Sequence, residues 1–380
     1  MIARDEYILR IKHALENSPV AALLGPRQCG KTTLARIIAD EVDGEYFDLE
    51  NPQDKSRLSN PMLRLKDAEG LVVLDEIQRD PSLFEILRVL VDRPDCKARY
   101  LVLGSASPHL VKGASESLAG RLSFIDLSGF NLSEVGFSSY RSLWLRGGFP
   151  RSFLSSNDKT SVEWRNDFIR TFLQRDIPQL GITIPADTLR RFWTMVAHYH
   201  GQVWNAAEFA RSLGTAEATA RRYLDIMSGA YMIRQLPPWY ENLKKRQVKS
   251  PKIYVRDNGI LHALLGMEDE QALGDHPKLG ASWEGFIIEQ VIALLNTGDV
   301  YFWATHTGAE LDLLIMRGGK RLGLEIKYTD APRTSKSMRS ALKDLRLDML
   351  YVVYPGEETY PLDDRITALA VNEIDIIKSD

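Results

Sequence analysis

The sequence predicts an α/β fold whose N-terminal part is built on a parallel sheet. Short apolar runs recur through residues 1–140 and alternate with helix-like stretches, which is the pattern of βαβ units. The first of these runs ends at Leu24 and leads into the glycine-bearing segment GPRQCGKT and then the helix-like run LARIIA. Strand-like segments near the C-terminus predict a second α/β domain.

The composition is that of an ordinary globular protein with room for two or three domains. The chain has 380 residues, of which 44 % are hydrophobic and 26 % are charged. Its net charge of −3 excludes a uniformly basic surface, so any contact with nucleic acid has to be local. No apolar stretch has the length that a bilayer crossing needs, and the charged start MIARDEYILRIKHALE does not resemble a signal peptide.

Cysteine usage indicates a reducing compartment. The chain has two cysteines, Cys29 and Cys96, and a disulfide at Cys29 would obstruct the glycine-bearing segment. With no cluster of His and Cys, this count argues against a disulfide framework and against a zinc site. We therefore expect a cytoplasmic protein with no membrane partner. Cys29 is either a redox-sensitive thiol or an incidental small residue.

The glycine-bearing segment has the complete spacing G-x-x-x-x-G-K-[ST] of a phosphate-binding loop. Gly25 and Gly30 allow the backbone to wrap a phosphate chain, and the helix beginning near Lys31 adds its positive end. We expect Lys31 to reach the β- and γ-phosphates of ATP and the Thr32 hydroxyl to hold Mg²⁺. An ordinary strand-to-helix turn is the alternative. The predicted nucleotide-binding residues are Gly25, Pro26, Arg27, Gln28, Cys29, Gly30, Lys31, Thr32 and Thr33.

An acidic motif follows at the position that ATP hydrolysis requires. The apolar run LVVL, residues 71–74, is typical of a central parallel strand, and it ends in Asp75 and Glu76. Carboxylates at the C-terminal end of such a strand lie over the phosphate loop. We expect Asp75 to hold Mg²⁺ through water and Glu76 to orient and polarise the attacking water. The alternative is a surface acidic pair that ends a strand.

Four segments together resemble one family. LLGPRQCGKTT, LVVLDEIQRDPSLFEIL, LVLGSASP and SLAGRL are similar to segments of AAA-superfamily ATPases of bacteria and archaea that carry a C-terminal domain of unknown function. The resemblance covers nearly the whole chain and implies a sheet of strand order 5-1-4-3-2. The predicted strands are residues 20–24, 46–49, 71–74, 100–103 and 123–127.

The resemblance also implies roles for two further residues. Ser105, which follows the strand at 100–103, corresponds to the polar residue that senses the γ-phosphate, and Arg121 resembles an arginine finger. Because such a finger acts in trans, it implies a homo-oligomer, either a ring or a dimer. The alternatives are a turn residue and a solvated or structural arginine. The sequence does not define a role for Arg79 in the signature DEIQR.

The chain is predicted to continue beyond the ATPase domain in three parts. These are a helical lid or linker at 141–186, a winged-helix domain at 187–262 and an α/β PD-(D/E)xK-like domain at 263–380. The winged helix is predicted from the helix TLRRFWTMVAHYH, then NAAEFARSL, a glycine turn and AEATARRYLDIM. The segments YMIRQL and KIYV then pair as a hairpin.

The predicted winged helix offers candidate DNA contacts. The segment at 244–252, KKRQVKSPK, has five basic residues among nine, and Trp239 and Tyr240 lie nearby. Basic side chains contact phosphates, and aromatic rings stack on bases. The alternative is a module that packs against or recognises protein, with its lysines in a solvated loop. The candidate DNA-binding residues are Arg221, Arg222, Lys244, Lys245, Arg246 and Lys249.

The C-terminal third carries a second constellation of acidic residues. Glu284 lies on a predicted helix, Asp312 on an alternating strand, and Glu325 and Lys327 share one face of the strand LGLEIKY. This order resembles the PD-(D/E)xK nuclease fold, which implies a site at Glu284, Asp312, Glu325 and Lys327. Its carboxylates would hold Mg²⁺ and its lysine would position a water. The alternative is a salt-bridged cluster that only supports the fold.

Three functions agree with these motifs. The first is Mg²⁺-dependent ATP hydrolysis coupled to action on DNA, with Glu76, Lys31, Arg121 and Ser105 as the catalytic residues. The second is an ATP-gated, metal-dependent DNA nuclease. The third is a signalling or chaperone-like NTPase whose C-terminal domains bind protein. An effect of DNA on ATP hydrolysis separates the first function from the third.

Overall fold

The structure is a computed structural model that describes residues 2–105, 116–241 and 247–379. Contacts within the chain divide it into two compact units: Met1–Gly129 with Gly229–Tyr231, and Phe130–Ser228 with Met232–Asp380. Among the helices of the described ranges, none combines the length and the apolar character needed to cross a membrane. The finer division into four domains stays a prediction.

The first unit is a parallel sheet flanked by helices. Its strands are β1 (Val20–Gly25), β2 (Glu45–Asp48), β3 (Glu69–Asp75), β4 (Lys97–Ser105) and β5 (Leu122–Asp126). Every neighbouring pair is parallel, and the order β2-β3-β4-β1-β5 confirms the predicted order 5-1-4-3-2. The helices are α1 (Asp5–Asn17), α2 (Lys31–Glu41), α3 (Pro52–Arg57), α4 (Pro61–Leu65) and α5 (Leu83–Val91), with a 3₁₀ turn at Ile77–Arg79.

Burial on both faces explains the continuous apolar runs of this sheet. Along β1, Ala22 and Leu24 enter one hydrophobic cluster, while Ala21 and Leu23 enter a second cluster on the opposite face. A central strand of this kind has no solvent-facing positions, so all six of its residues are buried. Because the strands are parallel, their carboxyl ends share one edge, and this edge carries the loop after β1 and the acidic residues after β3.

The second unit begins with helices. They are α6 (Leu132–Val135), α7 (Tyr140–Arg146), α8 (Pro150–Phe153), α9 (Asp158–Thr171) and α10 (Ile177–Gln179), with a 3₁₀ turn at Phe137–Ser139 and a π-helical turn at Phe172–Asp176. Three longer helices follow: α11 (Ala186–His198), α12 (Ala206–Leu213) and α13 (Glu217–Gly229). They accompany a three-stranded sheet of β6 (Gln202–Val203), β7 (Ile233–Leu236) and β8 (Lys252–Val255). The antiparallel pairing of β7 with β8 confirms the predicted hairpin.

A mixed sheet ends the second unit. Its strands are β9 (Val300–Ala304), β10 (Glu310–Arg317), β11 (Lys320–Ile326), β12 (Met349–Tyr354), β13 (Tyr360–Asp363) and β14 (Ile366–Ala370), in the order β13-β14-β12-β11-β10-β9. The accompanying helices are α14 (Asn258–Leu265), α15 (Glu270–Gly274), α16 (Leu279–Leu295) and α17 (Lys336–Asp344), and a 3₁₀ segment covers Val371–Ser379. A two-residue turn joins β10 to β11, and Gly318 and Gly319 supply its positive φ angles of 56° and 81°.

Candidate functional site

The loop between β1 and α2 has the backbone that a phosphate-binding loop needs. A side chain at Gly25 would place its Cβ 2.1 Å from the carbonyl oxygen of Leu127, so only glycine fits there. Gly30 has a φ of 102°, which glycine adopts without strain, and it precedes the first turn of α2. The backbone therefore favours glycine at both glycine positions of the motif.

The ammonium of Lys31 is held by the loop itself. Its Nζ donates hydrogen bonds to the carbonyl oxygens of Gly25 at 2.9 Å and Pro26 at 2.7 Å, and the side chain is buried. This is the position from which a lysine reaches phosphates that lie in the loop. Cys29 is buried and forms no disulfide.

Thr32 and Asp75, the two predicted Mg²⁺ ligands, are in contact. The Thr32 hydroxyl donates to Asp75 Oδ2 at 2.8 Å, and the Tyr46 hydroxyl donates to the same oxygen at 2.6 Å. Burial, followed by the charge of Asp75, raises the pKa of Tyr46, so its hydroxyl stays a donor. A hydroxyl and a carboxylate are oxygen ligands of the kind that Mg²⁺ prefers, and the pair fits the metal.

Glu76 adopts a left-handed backbone, with a φ of 56°. Its N–H donates to Asp75 Oδ1 at 2.9 Å, and its carboxylate accepts a hydrogen bond from Gln78 and lies 3.8 Å from the Arg27 guanidinium. Burial raises the pKa of Glu76, while the charges of Arg27 and Lys31 oppose the rise. The carboxylate is thus held beside the phosphate-binding loop, and its action on an attacking water stays a prediction.

A chain of ion pairs continues from Glu76 to Arg79. Glu50 Oε1 lies 3.5 Å from the Arg27 guanidinium and 2.5 Å from that of Arg79. Arg79 therefore contacts the site through Glu50, which is the partner that the sequence did not identify. Arg27 is the member of this chain that belongs to the phosphate-binding loop.

The structure places Arg121 at the opposite edge of the sheet from the loop. Arg121 directly precedes β5, and its backbone pairs with Val20 at the start of β1. Since β1 rises by about 3.3 Å per residue, this edge is roughly 16 Å from the loop at its far end. The guanidinium is paired with Asp92 at 2.5 and 2.9 Å. The arginine therefore cannot serve its own loop, and action in trans stays a proposal.

Two functional candidates lie outside the predicted set. One is Tyr46, described above; the other is Arg4, whose side chain is buried and whose guanidinium donates to the carbonyl oxygens of Cys29 at 3.0 Å, Ser128 at 3.3 Å and Gly129 at 3.2 Å. Through these hydrogen bonds, Arg4 joins the phosphate-binding loop at Cys29 to the backbone of residues 128 and 129. Neither residue belongs to a motif, so spacing gave no signal.

The side chain of Ser105, at the end of β4, lies outside the described part of the structure.

In the second unit, the four predicted nuclease residues lie in one cluster. Lys327 Nζ is 2.9 Å from Glu325 Oε1, and Asp312 Oδ2 accepts a hydrogen bond from the N–H of Ile326 at 2.8 Å. Burial raises the pKa of Glu325 to about 8, with a further contribution from the charge of Asp312. Burial also raises the pKa of Glu284, and Lys252 opposes that rise.

Lys252, at the start of β8, enters the same cluster although the sequence did not place it there. Its Nζ lies 3.1 Å from Glu284 Oε1 and 3.8 Å from Asp312 Oδ1, and it also pairs with Glu310. Within the ranges that the structure describes, no group of three or more His, Cys, Asp or Glu side chains is arranged to hold a metal ion. The residues present do not fit the Mg²⁺ site that the PD-(D/E)xK resemblance implied.

The candidate DNA-binding residues that the structure describes are on the surface. Arg221 and Arg222 on α13 are exposed, as is Lys249, and the Arg221 guanidinium has a distant partner in Glu217 at 3.9 Å. The exposed Tyr240 donates a hydrogen bond to the carbonyl oxygen of Lys249, within the basic segment 244–252, at 3.1 Å. The neighbouring Trp239 is less available, because its ring packs against another aromatic ring. Lys244, Lys245 and Arg246 lie outside the described residues.

The strand order of the first unit, with the loop after β1 and the acidic pair after β3, defines an AAA-type P-loop ATPase domain. Residues 17–136 match a family model described as "AAA domain". Residues 138–271 and 279–374 match two models described as domains of unknown function, DUF8612 and DUF4143. Nucleotide binding and hydrolysis are the activities of AAA-type ATPase domains, and they are assigned to the match at residues 17–136.

The chain belongs to the family of an uncharacterized protein of Mycobacterium tuberculosis. It is 53 % identical to that protein over 374 residues, which cover 98 % of this chain and 85 % of the relative, and the same values hold for an uncharacterized protein of Mycobacterium bovis. Among solved structures, the Walker-type ATPase PABY2304 of Pyrococcus abyssi has a TM-score of 0.51 at 14 % identity, covering 70 % of this chain and 96 % of that one. This last similarity concerns the fold alone.

Proposed function

We propose that the protein hydrolyses ATP with Mg²⁺ and that its nucleotide state controls binding to DNA. The observation that carries the first half is the convergence of Lys31, Thr32, Asp75 and Glu76 at one edge of the parallel sheet. A cationic loop residue, an oxygen ligand pair and a neighbouring carboxylate are the parts that phosphoryl transfer to water requires.

In the proposed reaction, the oxygen of a water attacks the γ-phosphorus, and the bond from that phosphorus to the β–γ bridging oxygen breaks. Glu76 orients the water and accepts its proton. Lys31 exchanges its bonds to Gly25 and Pro26 for bonds to the β- and γ-phosphates. Thr32 and Asp75 would hold Mg²⁺, which neutralises phosphate charge when it is bound.

Arg121 completes the site only if a second copy of the chain supplies it. Its place at the far edge of its own sheet supports a role in trans, within a ring or a dimer. To reach the γ-phosphate bound by a neighbouring copy, the Arg121 guanidinium has to leave Asp92, or Asp92 has to hold it in an orientation that faces that neighbour. An arginine finger of this kind adds charge stabilisation in the transition state.

The arrangement of α11, α12 and α13 with the sheet β6-β8-β7 supports a winged-helix domain. α12 and α13 are joined by a turn at Gly214, whose φ is 66°, and the β7–β8 hairpin follows α13. In such domains the second helix of the pair enters the major groove. Here that helix is α13, and its exposed arginines, Arg221 and Arg222, support contact with DNA phosphates.

The ATPase half is tested by Glu76→Gln. The amide keeps the size of the side chain and its hydrogen bond with Gln78, but it cannot accept a proton from water. We expect ATP binding to change less than threefold and turnover to fall by about a hundredfold or more, the range given by loss of a general base. Glu50→Gln, which changes a carboxylate in the same ion-pair chain, is the control. Full turnover by Glu76→Gln would show that another group polarises the water.

The DNA half is tested by reversing the two exposed charges of α13 together, Arg221→Glu with Arg222→Glu. Binding to single-stranded, duplex and four-way-junction DNA is measured with and without ATP at several salt concentrations. We expect weaker binding and a shallower salt dependence, with the slope smaller by about one unit for each phosphate that the variant no longer neutralises. Any DNA form that this protein recognises should also change the ATPase rate of the unaltered chain.

Lys159→Glu with Arg170→Glu is the matched control. Both residues are exposed on α9, and the pair changes the net charge by the same amount outside the winged helix. Equal weakening in the two double variants would mean that only overall charge matters. If no DNA form binds or changes the ATPase rate, a protein partner replaces DNA in the proposal.

A further inference from the structure

We propose that the ammonium of Lys252 occupies the position of a divalent metal in the C-terminal carboxylate cluster, which is therefore a closed ion-pair network and does not support metal-dependent cutting of DNA. Lys252 Nζ contacts Glu284 and Glu310 directly and lies 3.8 Å from Asp312. These are carboxylates from α16 and β10, two of the elements that the nuclease resemblance assigns to metal binding.

The backbone fixes the place of this lysine. Lys252 begins β8, the central strand of its sheet, and its Cα is paired with Val203 on one side and Leu236 on the other. Tyr254, two residues further along, lies on the same face of β8, and its hydroxyl donates to Glu284 Oε1 at 2.5 Å. One strand thus delivers both a cation and a hydrogen-bond donor to the same carboxylate.

The lysine supplies a positive charge where a second cation would have to bind. Its side chain is 5 % exposed. Its Nζ is surrounded by the carboxylates of Glu284, Glu310 and Asp312, the most distant of them at 3.8 Å. A metal ion bound by the same carboxylates would lie close to this ammonium, and like charges repel strongly in a buried site.

The carboxylates of the expected motif already have donors. Asp312 Oδ2 accepts from the Ile326 N–H, and Glu325 Oε1 is paired with Lys327. Among the described residues, Glu325 Oε2 is the cluster oxygen that is buried without a hydrogen-bond partner. Mg²⁺ takes octahedral oxygen ligands, so a metal ion at this cluster would have to displace the donors that these carboxylates already have.

Metal binding tests the proposal directly. Mn²⁺ bound per chain is measured by electron paramagnetic resonance without nucleotide, in an Asp75→Asn background that removes the expected ligand at the ATPase loop. We expect no Mn²⁺ to bind at the cluster, so that adding Asp312→Asn changes nothing. Tight binding of one Mn²⁺ that Asp312→Asn removes would overturn the proposal, as would Mn²⁺-dependent plasmid nicking that depends on Asp312.

A gain of binding is expected when the internal cation is removed. In the same background, Lys252→Met should bind one Mn²⁺ per chain, and adding Asp312→Asn should abolish this site. Lys249→Met, an exposed lysine of the same segment, is the matched control. A folded Lys252→Met protein that gains no site would refute the metal-like position of the lysine. Tryptophan fluorescence reports whether it folds, and the Mn²⁺ measurement with Lys252 intact decides the question if it does not.

Discussion

At the residue scale, Tyr46 shows how a side chain outside every motif contacts the predicted ATPase site. Asp75 Oδ2 accepts two hydrogen bonds, one from Thr32 and one from Tyr46. If Mg²⁺ takes the Thr32 hydroxyl, as proposed above, Tyr46 is left as the side-chain donor that holds this carboxylate. Its ring also contacts Arg36, whose guanidinium carbon lies 5.3 Å from the ring centroid.

Tyr46→Phe removes that donor and keeps the ring. We expect the Mg²⁺ concentration for half-maximal ATPase activity to rise by up to about tenfold, because a hydrogen bond to a charged group is worth roughly 1.5–3 kcal/mol and part of it is recovered by water. The rate at saturating Mg²⁺ should change by less than about twofold. A titration of ATPase rate against Mg²⁺ measures both values.

Tyr100→Phe is the control for this change. Tyr100 lies on β4, which β3 separates from β2. It is buried, and its hydroxyl contacts the carbonyl oxygen of Leu65 rather than Asp75. It should leave the Mg²⁺ dependence unaltered. An equal shift in both variants would mean that loss of any buried hydroxyl from the sheet has this effect, and Tyr46 would have no special role.

At the element scale, the sequence predicts best those segments whose burial is complete. β1 and β3 are buried in their central residues on both faces, so their apolar runs define them, and the motifs that follow define the edge at which the site forms. β6 has only the residues Gln202 and Val203 and carries no periodicity. It is a strand because β8 lies beside it, and that neighbour is supplied by the fold.

The same distinction separates predicted from unpredicted site residues. Lys31, Thr32, Asp75 and Glu76 follow strands in fixed local patterns, so their types and spacing predict them. The contacts of Arg4 with residues 29, 128 and 129 depend on how distant segments pack, which no local pattern encodes. Lys252 is a sharper case. In sequence it belongs to a basic segment that favours a DNA-binding surface, while in the structure it is buried among carboxylates.

At the scale of the whole molecule, tryptophan fluorescence can follow the second unit independently of the first. All seven tryptophans, Trp144, Trp164, Trp193, Trp204, Trp239, Trp283 and Trp303, lie in the second unit. Tryptophan fluorescence therefore reports the folding of that unit within the intact chain. Any change of this signal on addition of ATP, whose loop lies in the first unit, would report coupling between the two.

The second unit should lose stability in acid because it buries neutral histidines. Burial lowers the pKa of His200 and of His262 to about 3 each. Between pH 6.5 and 3 the unfolded chain binds protons at these residues and the folded chain does not, so stability falls as the pH falls through this window. Each histidine contributes a slope of up to about 1.4 kcal/mol per pH unit.

Arg234 and Arg256 act in the same direction through Glu289. Burial alone raises the pKa of this carboxyl, but the two guanidinium groups overcome that effect and lower it to about 2. The stability that this ion-pair cluster adds is present above the ordinary glutamate pKa of about 4.5 and is lost as the pH falls toward 2. The histidine effect therefore begins at higher pH than the glutamate effect, and the two can be distinguished.

Urea unfolding followed by tryptophan fluorescence between pH 7 and pH 4.5 isolates the histidine effect. The unfolding midpoint of the unaltered protein should fall steadily over this range. In the unaltered protein, His200 Nδ1 accepts a hydrogen bond from the Val255 N–H at 3.0 Å. The variant His200→Asn keeps an acceptor at this position, but its side chain does not titrate. Its midpoint should therefore depend less on pH, whereas His198→Asn, an exposed residue two positions away, should follow the unaltered chain. A midpoint that stays constant from pH 7 to 4.5 in all three proteins would show that these histidines do not govern acid stability.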